Sequence, residues 1–354
     1  MSSGPPVAPR TRRAPDWRIV AGVVVLGALA YLPGLLTAHG ILPADTKLYL
    51  SVDPGRLMTS ATSLWDNSQF GGWVTHQTVG YLWPTGPWYW TIEHLGGPAW
   101  LAQRLFVGTV FFAAGTGVWW CGRRLGLAHR GAWAAGIVYQ LSPYVLPYAS
   151  RTSVLLSPWA GLGWLVGLTV LAARRGGWRY PALFALVVAT VGGINATAIA
   201  LIAVAPVFWL IQATWGAREI TARRAVAVAL RLGALSLLVS LWWLVPLILE
   251  SRYGADVLAY SETVSAVSST SLGSEVLRGL GYWLFYGGDV TGRWTSASTP
   301  HLQSPGLIGL GFFLAAIGVV GILLIRWRYR AYLAALVVGG LVLSVGAYGT
   351  SPSP

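Results

Sequence analysis

The 354-residue chain has 10% charged residues against 55% hydrophobic ones, with a formal net charge of +13. A soluble domain carries about 25% charged residues, so the balance excludes an ordinary soluble enzyme and points to a membrane protein. The positive charge is not a nucleic-acid signature, because the arginines stand between apolar runs instead of clustering in one domain. They read as topology signals and contacts to anionic membrane lipids. The single cysteine, Cys121, excludes an intrachain disulfide and reads as structural.

Residues 1–16, rich in Pro, Arg and Ser, predict a disordered cytoplasmic tail. A helix needs about 20 apolar residues to cross ~30 Å of hydrocarbon. Nine segments approach that length, at about 18–37, 99–120, 131–148, 154–173, 180–194, 196–215, 225–248, 306–325 and 331–349. The first follows Arg10, Arg12, Arg13 and Arg18, but it is long for a signal peptide and no small-residue cleavage site follows. It therefore reads as a retained signal anchor. The expected fold is an all-α polytopic bundle over residues 17–349, with long extracytoplasmic loops at about 39–98 and 249–305. Residues 350–354 read as the truncated end of something longer.

Orientation follows from the basic residues. Seventeen of the 24 fall in segments 10–18, 123–130, 174–179, 218–231 and 326–330, and six fall in the alternate connections. The positive-inside rule then places the N-terminus in the cytoplasm of a plasma-membrane protein. Of the 11 acidic residues, only Asp16 and Glu219 lie on the basic side. Acidic residues contribute little to topology, so their placement points to an outward-facing polar site.

The first outer loop opens on Asp45 and Lys47, close to the membrane surface. A carboxylate there can take the proton of an attacking hydroxyl as general base, or simply pair with Lys47. Further on come Asp66, His76, Gln77, Tyr81 and Trp83, a mixture of aromatic faces and polar edges. Such a mixture suits a sugar and equally suits anchoring at the interface. Arg104 is the only basic residue placed within a span interior. It can snorkel outward or bind a phosphate with its guanidinium fork.

The second outer loop begins at Glu250 and Arg252, an anion and a cation at the outer end of a span. They can line a cavity or be solvated surface charge. Asn195 opens a glycosylation sequon, discounted because it lies in a short membrane hairpin. No phosphate-binding loop, metal-ligand pair or nucleophile elbow stands in a suitable context.

The run Asp45-Thr46-Lys47-Leu48-Tyr49-Leu50-Ser51-Val52-Asp53-Pro54 resembles the first-loop signature of the actinobacterial membrane α-(1→3)-arabinofuranosyltransferases. The likeness continues in order through Leu64-Trp65-Asp66, Gly80-Tyr81, Gln103-Arg104-Leu105 and Leu141-Ser142-Pro143. It runs on through Ser157-Pro158-Trp159, Gly192-Gly193, Trp242-Trp243 and Leu277-Arg278-Gly279. It departs at His76, where the family usually has Asn, and at Tyr144, where Arg is frequent.

The resemblance implies a GT-C glycosyltransferase fold, of which this chain would be the N-terminal catalytic part. It implies a polyprenyl-phosphate-linked sugar donor, an envelope polysaccharide acceptor, and one inverting displacement with Asp45 as catalytic base. Lys47 and Arg104 are the expected partners of the donor phosphate. Asp66, His76, Gln77, Tyr81, Trp83, Glu250 and Arg252 are the expected acceptor contacts. No cofactor is implied, and a divalent metal is neither implied nor excluded. A transporter or flippase of a lipid-linked intermediate is the alternative. That class typically shows paired repeats and charged or Gly/Pro-broken spans; the sequence shows no repeat, and only Arg104 is charged within a span interior.

Overall fold

The computed structural model describes residues 17–42, 48–68, 71–75, 78–150, 153–260, 263–290 and 292–348. Nine principal helices overlap the nine apolar segments. They are α1 (Trp17–Leu35), α2 (Ala99–Arg124), α3 (His129–Gln140), α4 (Leu156–Arg175) and α5 (Arg179–Val191), then α6 (Ala196–Ile211), α7 (Ala222–Tyr253), α8 (Pro305–Leu324) and α9 (Arg330–Val345).

Among the described residues, six helical stretches are long and apolar enough to cross a membrane: those of α1, α2, α4, α6, α7 and α8. This makes the chain a multi-pass membrane protein. The nine predicted spans thus divide into six full-length helices and three shorter ones. At 1.5 Å per residue, the 12 residues of α3 reach only ~18 Å. It stops at Gln140 because Pro143 follows, and the residue before a proline avoids the helical region. α5 ends before Gly192-Gly193, and α6 starts afresh where the Asn195 side chain accepts from the Ala198 N–H at 2.9 Å. The sequon asparagine is therefore a helix cap.

α2 is the hub, packing on α1, α3 and α4. In a membrane, close helix association relies on small residues and buried polar ties. Gly163 of α4 sits against Gly117 of α2 so closely that a Cβ there would lie 2.4 Å from backbone carbon. The buried Gln140 amide donates to the Leu26 carbonyl at 3.1 Å, tying α3 to α1. Trp164 donates to the Ala113 carbonyl at 2.9 Å, tying α4 to α2. α8 has no buried residue and presents its apolar surface outward.

The two ends of the bundle differ. One end gathers the arginine-rich turns: Arg174 donates to the Arg124 carbonyl at 2.7 Å and Arg224 to the Arg174 carbonyl at 2.8 Å. Glu219 sits among them, accepting from Arg174 at 3.1 Å, from Arg328 at 3.3 Å and from the Tyr329 hydroxyl.

The other end carries the two long loops. The first folds into short helices at Tyr49–Val52 and Pro54–Ser60, a hairpin of β1 (Trp65–Asp66) and β2 (Trp73–Val74), and a helix at Thr85–His94. The second contains short helices at Gly273–Leu277 and Trp283–Tyr286, and a hairpin of β3 (Gly288–Asp289) and β4 (Gly292–Arg293). A core of Leu50, Leu57, Tyr81, Tyr89 and Phe106 binds the first loop to α2.

Candidate functional site

Arg104 lies in the second turn of α2, at the loop-bearing end. Its guanidinium is held from two sides: it donates to the Gln103 side-chain carbonyl at 2.7 Å and to the Ile41 carbonyl at 3.3 Å. Gln103 is buried and donates in turn to the Ala149 carbonyl at 3.4 Å. The Arg104 Nε is buried and makes no hydrogen bond among the described residues. A guanidinium fixed by neutral partners keeps its full charge available.

Below it runs a groove of about 320 Å³ between α1, α2 and the α3–α4 connection, lined by Leu29, Pro33, Val107, Phe111, Leu141 and Leu146 among others. Among the described residues, Arg104 is the only charged one lining it. A single cation at the rim of an apolar furrow matches a phosphate carried on a hydrocarbon chain.

The candidate base and its neighbour, Asp45 and Lys47, lie outside the described residues, as do His76 and Gln77. The flanks are described: Ile41 on one side, held by Arg104, and Leu48 on the other, leading into Tyr49–Val52. Asp53 is a helix cap, accepting from the Arg56 N–H at 2.8 Å.

The remaining expected contacts divide. Asp66 clamps the β1–β2 hairpin, accepting from the Ser68 hydroxyl at 2.6 Å and its N–H at 2.8 Å. Those bonds hold its carboxyl below the usual carboxylate range. Tyr81 is 1% exposed and packs in the core, so its ring offers no surface to a sugar. Its neighbour Gly80 approaches Gly193 so closely that a Cβ would lie 2.4 Å from that carbonyl oxygen. Trp83 is exposed at the loop surface. Glu250 is buried and Arg252 exposed, both in the last turn of α7. Residues two apart on a helix do not face each other, so these two do not line one cavity as a pair.

The sequence reading missed a join between the second loop and the α3–α4 connection. Tyr282 stacks on Tyr148 with ring centres 4.1 Å apart, and Tyr144 lies 6.1 Å from Tyr282. The aromatic row continues through Trp283 to Trp294, whose indole donates to Asp289 at 3.1 Å. Its signal was Tyr144 and Tyr148, one helical turn apart after Leu141-Ser142-Pro143. Beside it, Glu275 pairs with buried Arg278 at 3.1 Å and accepts from the Tyr286 hydroxyl at 2.8 Å. Arg278 also donates to the His301 carbonyl at 2.8 Å. Among the described residues no three His, Cys, Asp or Glu side chains gather as metal ligands.

The chain is 29% identical over 343 residues to an α-(1→3)-arabinofuranosyltransferase of Mycobacterium tuberculosis, covering 93% of this chain and 23% of that one. It is 27% identical over 351 residues to an α-(1→3)-arabinofuranosyltransferase of Mycolicibacterium smegmatis, covering 95% and 23%. A cryo-EM structure of the arabinofuranosyltransferase AftD from mycobacteria superposes with a TM-score of 0.74 at 27% identity, over 91% of this chain and 22% of that one. The chain thus spans about a quarter of the length of the relatives it matches. The model of the α-(1→3)-arabinofuranosyltransferase N-terminal GT-C domain matches residues 29–354, and to that family of GT-C membrane proteins the chain belongs.

Proposed function

We propose that the protein carrying this chain is a membrane glycosyltransferase. It moves arabinofuranose from a polyprenyl-phosphate donor to a hydroxyl of an envelope polysaccharide on the extracytoplasmic side. The observation that carries this reading is Arg104, a held cation at the rim of a groove whose other described lining residues are uncharged. The groove accepts the prenyl chain, and the guanidinium, joined by Lys47, meets the phosphate.

In the proposed step, Asp45 takes the proton of the acceptor hydroxyl. The acceptor oxygen bonds to the anomeric carbon from the face opposite the phosphate. The bond from that carbon to the phosphate oxygen breaks, and the electron pair leaves on the polyprenyl phosphate, whose charge Arg104 balances. The aromatic row of Tyr148, Tyr282, Trp283 and Trp294, with exposed Trp83, supplies flat faces for the acceptor's rings.

Orientation belongs to the same proposal: the arginine-rich end faces the cytoplasm and the loop-bearing end faces outward. The test is transfer from a radiolabelled polyprenyl-phosphate arabinofuranose to an arabinan acceptor, in vesicles holding the whole protein. A labelled, elongated acceptor is expected. Movement of the donor between leaflets with no glycosidic product would contradict the reading.

A further inference from the structure

α1 and α3 begin side by side at the arginine-rich end of the bundle. Gly22 of α1 has no side chain, and the Trp133 indole of α3 fills that space, 2.3 Å from where a Cβ would stand. Trp119 of α2 stacks on Trp133, ring centres 4.4 Å apart and nearly parallel. The indole is thereby fixed, and a cleft of about 470 Å³ remains between the first turns of the two helices.

The cleft has two zones. Its mouth carries Arg18, His129 and Arg130, and among the described residues no acidic side chain lines it. Its floor is apolar, formed by Val25, Trp133 and Ile137. Seven residues separate Arg18 from Val25, so the floor reaches ~10 Å deeper along the helix axis than the mouth. Cations at headgroup depth above an apolar floor match a molecule with an anionic head and a hydrocarbon tail. A free phosphate would use the mouth alone and leave the floor wetted, which disfavours it. The His129 and Arg130 side chains form no hydrogen bond or ion pair among the described residues, so their donors are available to a ligand.

We infer that this cleft is a binding site for an acidic phospholipid, its phosphate held between Arg18, His129 and Arg130 and one acyl chain laid along Val25, Trp133 and Ile137. The site lies at the opposite end of the bundle from Arg104 and does not depend on the transfer reading. Its occupant would fasten α1 to α3.

The test uses the whole protein purified in detergent, with lipid adducts read by native mass spectrometry. Phosphatidylglycerol should be retained over phosphatidylcholine. The double variant R18Q/R130Q should lose about tenfold or more of that retention, since each basic residue near a membrane surface contributes about fivefold. R18K/R130K should keep most of it. If the double glutamine variant does not purify, R130Q alone should show about a fivefold loss. Equal retention of the two lipids by wild type, or unchanged retention by the glutamine variants, would overturn the inference. So would displacement of the lipid by millimolar inorganic phosphate, which would mark a site for the free anion.

Discussion

Arg104 carries a positive charge at the rim of an apolar groove, and what neutralises it decides what the groove holds. Its two hydrogen-bond partners, the Gln103 amide and the Ile41 carbonyl, are uncharged. A bound phosphate would therefore gain a charge-assisted bond worth about 1.5–3 kcal/mol. Arg104→Gln should raise the KM for the polyprenyl donor about tenfold or more. Arg104→Lys should recover only part of it, because an ammonium lacks the planar fork. Steady-state kinetics over a donor series checks this, and an unchanged KM would remove Arg104 from donor binding. Arg104 was legible in the sequence as the one basic residue placed within a span interior. Gln103 beneath it was legible only as part of a motif, because its role depends on the Ala149 carbonyl, distant in sequence. Asp66 and Tyr81 read as sugar contacts because their residue types suit a sugar. Local folding uses them otherwise, the first to clamp a turn and the second to fill the core.

Two clusters hold elements together at opposite ends. On the arginine-rich side, Glu219 joins α4 through Arg174 to the segment before α9 through Arg328 and Tyr329. Its carboxylate is 10% exposed, whereas the two arginines are 35% and 52% exposed, which discounts their attraction. Glu219→Gln should cost about 1–3 kcal/mol, read as a lowered Tm in detergent, with little change in transfer per folded molecule. On the loop side, burial and the bond donated to Glu275 push the Tyr286 hydroxyl above its ordinary value. The fold thus favours neutral Tyr286. The stability this contributes is fully present below the unfolded phenol value of about 10, and is lost as pH rises through the higher folded value. A pH series of unfolding midpoints should fall above about pH 10 in wild type and fall less in Tyr286→Phe. The long apolar helices were legible because their composition leaves no other stable state in lipid. The early end of α3 was not, since 131–148 is apolar almost throughout and only Pro143 marks the stop. The Tyr148–Tyr282 stack was not legible either, because no local pattern connects a helix–helix turn to a loop far along the chain.

At the scale of the whole molecule, the bundle is polar at both ends: one end gathers the arginine-rich turns and the other the two long loops. The orientation has its own test. The one cysteine of this chain, Cys121, is buried, so once any thiols outside the chain are replaced a membrane-impermeant maleimide should find little background. Applied to intact cells, it should label Tyr260→Cys, in the second loop, and leave Arg218→Cys unlabelled until the membrane is opened; the reverse pattern would invert the topology. The two proposed sites also stand apart, with the acidic phospholipid cleft at one end and the donor groove at the other. Everything proposed for the outer end converges on a carboxylate beside the donor phosphate. The direct measurement is transfer of radiolabelled arabinofuranose from its polyprenyl-phosphate carrier, comparing wild-type protein with Asp45→Asn at equal folded amounts. A general base contributes about 10²–10⁴-fold, so an inverting transfer that relies on Asp45 predicts a loss of at least about 100-fold in the asparagine variant, with donor binding retained. Undiminished transfer by Asp45→Asn would contradict it.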